Sequence, residues 1–381
     1  MNNRAKLLMA LKYPGAARER IRSRILSRIK LSPLIKKGVT AAPGPGTISI
    51  NLTHLCNLRC KMCGQWRRKD VYRQEILSLE KLKDLVDAIS GYRPKIYLWG
   101  GEPLLYPEFS DLIRYLKEKE QYTIVNTNGV LLKKYAAEMV DLKVAGLDIS
   151  IDGPSEIHDE IRGVPGTFEK VIEGLRFLQE CRRKSGQRKP MVKAICTISE
   201  LNQDHLEETL DLLESTGLFD AVIFNLGWFT TEKIGEATDR IFRKHLGCGS
   251  SSWRDFVGAL GKVDPGKVKS FMERVSSHHR KGALPVFFIP SLGPEEVEEY
   301  YLRPASFMGR KICYSPWLNL EIRPNGDATF CPDFPDYIIG NILEETFEEI
   351  WNGAKAKKFR RLLLEKGLFP LCSRCCGLYA Y

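Results

Sequence analysis

The sequence lacks the features of a membrane-spanning or secreted protein. Its 381 residues contain no run of about 18 apolar residues, so no segment is predicted to span a membrane. The basic N-terminus has no long apolar stretch of the kind found in signal peptides. In such a chain, eleven cysteines favour metal or redox chemistry over a disulfide framework. We therefore expect a cytoplasmic protein in a reducing compartment.

Little net charge is present outside the first 38 residues. The formal net charge is +11, and residues 1–38 contribute +10 of it, with eleven Lys or Arg and one acid, Glu19. The rest of the chain therefore carries only +1. Because the basic character belongs to one arm, the high pI does not indicate a nucleic-acid-binding protein.

The basic arm contains a row of isoleucines. Ile21, Ile25 and Ile29 recur every four residues among arginines, which predicts a helix over residues 17–31. Such a helix either lies on an anionic membrane surface, where it would bring a lipid-linked substrate within reach, or packs on the protein body. Residues 41–46 are typical of a linker, so residues 1–46 are predicted to form an arm and linker.

Strands and helices alternate from residue 47 to residue 227. This rhythm predicts an α/β fold whose parallel sheet curls into a partial (β/α)6 TIM-like barrel, with the chemistry on loops after the strand ends. The six predicted strands are Thr47 to Thr53, Lys95 to Trp99, Tyr122 to Asn126, Gly146 to Ile151, Met191 to Ile198 and Ala221 to Leu226.

Two further regions follow the predicted barrel. Residues 228–308 break the strand–helix rhythm and are predicted to form a helical bridge or cap. Residues 309–381 begin with a strand, an Asn-Gly turn and a strand between Trp317 and Phe330, followed by a helix over 344–364. The last region is therefore predicted to be a hairpin-helix domain.

Three cysteines follow the first predicted strand at short spacing. Three thiolates at Cys56, Cys60 and Cys63 can bind three irons of a four-iron, four-sulfur cluster and leave the fourth iron open for a small molecule. A zinc site completed by His54 is the alternative. The spacing resembles the cluster motif of the radical SAM superfamily. This resemblance implies that S-adenosylmethionine binds the open iron, that its reductive cleavage gives a 5′-deoxyadenosyl radical, and that Met62 packs on the adenine.

Segments at the ends of the next strands extend this resemblance. Gly100, Gly101 and Glu102 end the second strand, and glycines there let a ligand approach the backbone. They resemble the family segment that holds the amino group of the methionine moiety. Asn128 ends the third strand and is a further cofactor-binding candidate.

The fourth strand ends in a segment that resembles the family's ribose-binding segment. Ser150 is assigned to the ribose, whereas Asp152 either joins it or caps the turn before Pro154. Arg162 occupies the place of an arginine that contacts the cofactor carboxylate in related enzymes. The alternative for Arg162 is a solvated loop side chain.

Five cysteines lie near the C-terminus. The predicted hairpin brings Cys313 and Cys331 together, and the following helix returns the chain to Cys372 and Cys375, which makes a four-thiolate site. A zinc ribbon is the alternative. The pattern resembles the SPASM/twitch extension of radical SAM enzymes, in its shorter form with one auxiliary 4Fe-4S cluster. Cys376 could replace Cys375 as the fourth ligand.

The combined pattern implies a radical SAM enzyme that abstracts a substrate hydrogen and completes a net oxidation or bond formation with one auxiliary cluster. A flavodoxin or ferredoxin would supply electrons, and the substrate is expected to be a small molecule or lipid-linked. A peptide-modifying enzyme with a separate leader-binding protein is one alternative. A zinc-stabilised binding protein is another, and it leaves the Gly-Gly-Glu segment without a purpose. The sequence identifies no catalytic residue.

Overall fold

Ten strands form one sheet in the computed structural model, which describes residues 10–64, 66, 76–277 and 284–379. The strands are β1 Thr47–Asn51, β2 Lys95–Trp99, β3 Tyr122–Thr127, β4 Gly146–Ser150, β5 Met191–Thr197, β6 Ala221–Asn225, β7 Val286–Ile289, β8 Asn319–Ile322, β9 Asp327–Thr329 and β10 Gly340–Asn341. Their order in the sheet is β10-β9-β8-β1-β2-β3-β4-β5-β6-β7.

Eight of these strands are parallel, which confirms the α/β partial barrel and enlarges it. The sequence predicted β1 to β6 in this order. The structure adds β7, which pairs with β6, and β8, which pairs with β1 so that Asn319 lies opposite Thr47. The hairpin of β8 and the antiparallel β9 is found where it was predicted. Because β8 belongs to both the hairpin and the barrel, the sheet runs continuously into the C-terminal region.

Helices cover the outer face of the sheet. The helix Leu79–Ile89 shows the local cause: Ser78 caps its first turn by accepting the N–H of Lys81, and its apolar residues recur on one buried face. The other α-helices are Pro14–Arg24, Ser32–Lys36, Phe109–Glu118, Leu132–Asp141, Ser155–Arg162, Thr167–Ser185, Leu206–Thr216, Glu232–His245, Pro265–Ser277, Val297–Leu302, Ser315–Leu318, Phe347–Asn352, Ala354–Lys366 and Cys376–Tyr379.

Alternation along the strands separates an apolar outer face from a polar inner face. In β2, Ile96 and Leu98 are fully buried under the helices. Tyr97 and Trp99 alternate with them and point to the inner face. The same alternation places Asp148 of β4 on the inner face. Polar side chains therefore line the interior of the barrel.

The N-terminal arm crosses the edge of the barrel at which the strands begin. The guanidinium of Arg22 donates to the carbonyls of Tyr92 and Arg93, just before β2, and the ammonium of Lys12 pairs with Asp220, just before β6. The predicted helix is present as Pro14–Arg24 continued by a π-helix, Ile25–Leu31. No helix within the described residues is long and apolar enough to cross a bilayer.

Residues of the predicted bridge hold the C-terminal segment in place. The buried guanidinium of Arg374 donates to the backbone carbonyls of Tyr300, Arg303 and Ser306. The hydroxyl of Thr238 accepts the N–H of Leu371. These contacts join the region around residues 232–306 to the last cysteines of the chain.

Candidate active site

The loop that follows β1 carries Cys56, Cys60 and Cys63 at the carboxyl edge of the sheet. Hydrogen-bond donors approach two of the sulfurs. The backbone N–H of Leu58 donates to Cys56 Sγ at 3.4 Å, and Arg162 Nη1 donates to Cys60 Sγ at 3.7 Å. Burial raises the pKa of Cys56 to about 11. A bound metal would therefore be needed to hold this thiol as a thiolate at neutral pH.

The cysteine loop is fixed to the end of the helix Ser155–Arg162. The N–H of Arg59 donates to the carbonyl of Arg162 at 3.0 Å, and the N–H of Lys61 donates to the carbonyl of Ile161 at 2.8 Å. Met62 lies half-buried in the turn between the second and third cysteines. The backbone of the loop is thus positioned independently of any bound cluster.

The two glycines after β2 allow the cysteine loop to pack against the next strand end. A Cβ on Gly100, whose φ is +152°, would lie 2.5 Å from the carbonyl oxygen of Thr53. A Cβ on Gly101 would lie 2.3 Å from the carbonyl oxygen of Leu55. Any larger residue would therefore push the loop away from the sheet. The glycines therefore serve the packing of the cysteine loop, in addition to the ligand approach that the sequence predicts.

Glu102 is fully buried, and its carboxylate accepts three hydrogen bonds. Its Oε1 accepts the hydroxyl of Thr127 at 2.6 Å and the N–H of Leu104 at 3.0 Å, while Oε2 accepts the N–H of Asn128 at 2.8 Å. Burial raises the pKa of Glu102 to about 7, and the three hydrogen bonds oppose that rise. The side chain of Asn128 donates in turn to Asn57 at 2.8 Å, so Glu102 is linked to the cysteine loop.

Asp152 and Arg162, predicted separately, form a buried ion pair. Arg162 Nη2 lies 2.6 Å from Asp152 Oδ2, and Asp152 Oδ1 accepts the N–H of Thr197 at 3.0 Å. Since the guanidinium also reaches Cys60, Arg162 connects β5, the β4 loop and the cysteine loop. His158 supports this corner by accepting the N–H of Asp152, and burial lowers the pKa of His158 to about 2, which keeps it neutral.

The remaining predicted position, Ser150, ends β4 half-buried on the inner face. Asn51, at the end of β1, was missed by sequence reasoning. It is fully buried, and neither polar atom of its side chain has a hydrogen-bond partner within the described part of the chain. A buried amide in this state indicates a place for a polar ligand group.

Four of the five C-terminal cysteines line one partly open cavity. They are Cys313, Cys331, Cys372 and Cys375. Burial and then the neighbouring thiols raise the pKa of Cys331, and burial and Cys375 raise the pKa of Cys313 to about 12. Within the described residues no three His, Cys, Asp or Glu side chains are grouped closely enough for a single metal ion.

Cys376 lies outside the wall of this cavity. Its backbone N–H donates to Asp333 Oδ2 at 2.6 Å, and its thiol donates to Asp333 Oδ1 at 3.4 Å. The sequence left Cys375 and Cys376 as alternatives. The geometry favours Cys375 as the fourth thiol facing the cavity.

Polar side chains that sequence reasoning missed meet across the barrel interior. Tyr97 of β2 donates to Asp148 Oδ2 of β4 at 3.3 Å, and Lys193 of β5 pairs with Asp148 at 2.7 Å. The indole N–H of Trp99 donates to Glu321 of β8 at 2.6 Å. Contacts across an intervening strand require side chains on the concave inner face. Their signal in the sequence was the alternation of aromatic and polar residues with aliphatic ones.

The polar interior extends to the C-terminal cysteines. Burial and Asp148 are the main causes that raise the pKa of Tyr97, and Cys376 and Glu321 contribute as well. Burial raises the pKa of Glu321 to about 8, with a smaller contribution from Asp333. Because Asp333 also accepts from Cys376, the inner face connects the barrel to the second cysteine site.

Comparison with known proteins decides the family. Residues 50–213 match the radical SAM superfamily, and residues 313–376 match the SPASM iron-sulfur cluster-binding domain. The chain belongs to the radical SAM superfamily. It is a radical SAM enzyme with a C-terminal SPASM-type domain, and its cofactors are 4Fe-4S clusters and S-adenosylmethionine.

Among curated relatives, AdoMet-dependent heme synthase of Methanosarcina barkeri is 29% identical over 87% of this chain and 88% of its own length. Fe-coproporphyrin III synthase of the same organism is 32% identical over 43% of this chain. The match covers only 40% of that relative. The structure of Streptococcus suis SuiB bound to S-adenosylmethionine aligns with a TM-score of 0.61 at 16% identity, covering 88% of this chain and 71% of SuiB. This likeness to SuiB shows the fold alone.

The residues of this radical SAM enzyme fit its cofactors. Three thiols lie at the carboxyl edge, and N–H donors approach two of them, Cys56 and Cys60, which stabilises thiolates. The buried carboxylate of Glu102 and the unpartnered amide of Asn51 lie on the neighbouring strand ends and can meet polar groups of a bound molecule. Four further thiols surround a separate cavity, as an auxiliary cluster requires.

Proposed function

We propose that this enzyme oxidises a small polar substrate, free or lipid-linked, that binds in the barrel interior. The reaction would be a net two-electron oxidation or a bond formation after hydrogen abstraction. The supporting observation is the set of polar side chains that meet on the inner face of the barrel: Lys193, Asp148 and Tyr97 in one group, Trp99 and Glu321 in another. Such groups hold hydroxyl or amine functions of a substrate by hydrogen bonds.

Cys56, Cys60 and Cys63 would hold the catalytic cluster, and Glu102 and Asn51 would orient S-adenosylmethionine beside it. When bound, the cluster and S-adenosylmethionine together supply the 5′-deoxyadenosyl radical, with electrons from a flavodoxin or ferredoxin. Met62, Ser150 and Arg162 would contact the same cofactor. The barrel residues then hold the substrate, exclude water and accept the proton that the substrate releases.

Glu321 is the proposed proton acceptor. Its carboxylate is almost fully buried, faces the interior and is oriented by the indole N–H of Trp99. Oxidation of a substrate alcohol or amine releases a proton as well as a second electron. The proton would pass to Glu321. Cys313, Cys331, Cys372 and Cys375 would hold the auxiliary cluster, which would supply an acceptor for the electron. Asp333 is near enough to Glu321 to contribute to the rise of its pKa, and it also accepts the N–H of Cys376, the residue after Cys375.

The test is substrate-dependent formation of 5′-deoxyadenosine by the anaerobically reconstituted enzyme. The panel contains sugar nucleotides, aminoglycosides and polyprenyl-linked sugars, beside a peptide and an iron porphyrin. We expect stimulation by the polar small molecules, and deuterium at their oxidised carbon should appear in 5′-deoxyadenosine. Stimulation by the peptide alone would refute the proposal in favour of a peptide-modifying enzyme.

A Glu321→Gln variant separates proton transfer from cofactor cleavage. It should cleave S-adenosylmethionine as the parent does and form little product, because the acceptor is lost. Since burial raises the pKa of Glu321 to about 8, product formation by the parent should rise as the pH increases through 8. Tyr97→Phe is the comparison variant: it removes an interior hydroxyl that donates to Asp148 and keeps the acceptor, so it should weaken substrate binding and leave proton transfer in place. An unchanged product yield in Glu321→Gln would exclude this role.

A tetrapyrrole is a second candidate substrate, favoured by the match to 88% of AdoMet-dependent heme synthase. The iron porphyrin of the same panel tests it. Loss of carboxylate groups from iron coproporphyrin, followed by mass spectrometry, would support this candidate. The polar interior would then have to hold propionate side chains instead of a hydroxyl group.

A further inference from the structure

The exposed apolar side chains of this protein are concentrated in the N-terminal arm. Ile21, Ile25 and Ile29 are 59%, 40% and 67% exposed, and Leu11 and Leu34 of the same arm are exposed as well. Elsewhere in the described chain, exposed large apolar residues such as Leu302 and Leu343 are spread over separate elements. A continuous apolar row at the surface marks an interaction site more often than scattered residues do.

The isoleucine side chains are exposed to solvent because the arm packs on the protein body through another face. Tyr13, Leu31 and Ile35 are buried, and Arg22 ties the first helix to the loop before β2. The sequence left two roles for the isoleucine row, packing on the body or contact outside it. The structure argues against packing of the isoleucine row on the protein body, because the opposite face of the arm already makes that contact.

Helix geometry keeps the isoleucine row straight. Four residues overshoot one turn of an α-helix, so a row at this spacing drifts around the axis. Ile25 begins a π-helix, Ile25–Leu31, whose wider turn is longer than four residues. Ile29 therefore turns back toward the line of Ile21. The π-helical segment aligns the three side chains on one side of the arm.

Basic residues flank the exposed row. The arm carries +10 of the formal charge of +11, and Arg18, Lys30, Lys36 and Lys37 are exposed around the isoleucines. Two arms of this charge would repel each other, which disfavours pairing of two copies through this face. An anionic bilayer offers both an apolar layer for the isoleucines and phosphates for the basic groups.

We propose that residues 11–37 dock this enzyme on an anionic membrane surface. The arm crosses the edge where the strands begin, beside Tyr92 and Asp220, whereas Cys56 lies at the opposite edge. Strands of five residues separate the two edges by about 16 Å. The active-site side therefore faces away from the bilayer. Docking in this orientation favours the free form of the proposed polar substrate over the lipid-linked form, because the active-site side opens to water.

Vesicle co-sedimentation of the full-length enzyme tests the docking surface. We expect binding to vesicles of phosphatidylglycerol and phosphatidylcholine at low salt, weaker binding as salt rises, and little binding to phosphatidylcholine alone. The Ile21→Glu/Ile25→Glu/Ile29→Glu variant should bind at least about tenfold more weakly, because it replaces the apolar row by charges. Leu302→Glu, at a residue 68% exposed outside the arm, is the matched control and should bind as the parent.

Cleavage of S-adenosylmethionine by the triple variant should equal that of the parent, because the arm lies far from the cysteines. Equal vesicle binding by the parent and the triple variant would overturn the proposal, as would failure of the parent to bind at low salt. Light scattering provides a further check. A dimeric parent that becomes monomeric in the triple variant would assign the row to self-association and overturn membrane docking.

Discussion

Replacement of Glu102 by Gln tests the cofactor pocket at the residue that organises it. The change keeps the size of the side chain but leaves a single acceptor oxygen. In the parent, one carboxylate oxygen accepts from Thr127 and Leu104 and the other accepts from Asn128. Whichever way the glutamine amide points, its NH2 group therefore faces a backbone donor.

Two separate effects are expected, and their sizes follow from the typical energies of buried and charge-assisted hydrogen bonds. The substitution removes one buried hydrogen bond and leaves the glutamine NH2 group facing a backbone N–H. This should lower the free energy of unfolding by about 1–3 kcal/mol. If Glu102 holds the amino group of S-adenosylmethionine, as proposed, loss of its negative charge should weaken binding by about 1–3 kcal/mol, which corresponds to about 5- to 150-fold. Iron content should stay unchanged, because Glu102 contacts none of the cysteine sulfurs among the described hydrogen bonds.

Anaerobic equilibrium dialysis measures the affinity, and denaturant titration measures the stability. Thr127→Val is the matched control, since it removes one donor to Glu102 and keeps the charge; it should lose stability with a smaller effect on affinity. Burial raises the pKa of Glu102 to about 7, so affinity of the parent should increase as the pH rises through 7 and the carboxyl ionises. Loss of stability in Glu102→Gln with unaltered affinity and an unaltered pH profile would show that the segment is only a turn.

Two predictions concern the cysteines. Changing Cys56, Cys60 and Cys63 together to Ala should remove about four irons and abolish formation of 5′-deoxyadenosine. The control Cys181→Ala should change neither. Undiminished cleavage in the triple variant would end the assignment. Cys375→Ala should lose the auxiliary cluster. Cys376→Ala should keep the iron of that cluster, because the thiol of Cys376 faces Asp333 and lies outside the cavity wall. Zinc instead of iron in the triad variant, or iron loss in Cys376→Ala, would contradict the assignment of the auxiliary cluster.

Local pattern was enough to predict the first six strands to within two residues at their ends. Lys95–Trp99 illustrates why: its alternation and the turn after it are properties of adjacent residues. The sequence did not predict β7, because Val286–Ile289 is a half-exposed apolar segment of only four residues. β8 was recognised as part of a hairpin, but its pairing with β1 joins Asn319 to Thr47, and local sequence holds no information on such a distant partner.

The same limit applies to the candidate site. The cysteine spacing predicted the two sulfur-rich loops, since it depends on neighbouring residues. The pairing of Asp152 with Arg162, the contact of Trp99 with Glu321 and the choice between Cys375 and Cys376 depend on the tertiary structure. Polar residues on the inner face become candidates only when the strand order shows which of them meet.

Arg162 illustrates how a residue predicted from resemblance can have a structural role that must be separated from its role in binding. Its guanidinium lies 2.6 Å from the buried carboxylate of Asp152 and donates to Cys60 Sγ. Arg162→Gln leaves that carboxylate buried and unpaired, which should lower the free energy of unfolding by about 3–5 kcal/mol.

The double variant Asp152→Asn/Arg162→Gln separates the two roles, because it removes both charges together. Most of the lost stability should return, since no uncompensated charge remains buried. If Arg162 also binds the carboxylate of S-adenosylmethionine, the stable double variant should bind the cofactor more weakly than Asp152→Asn does. Relative to Asp152→Asn, the reduction potential of the catalytic cluster should become more negative as well, because the double variant has also lost the cation near Cys60. A double variant with the same affinity and reduction potential as Asp152→Asn would leave Arg162 as the partner in a structural ion pair alone.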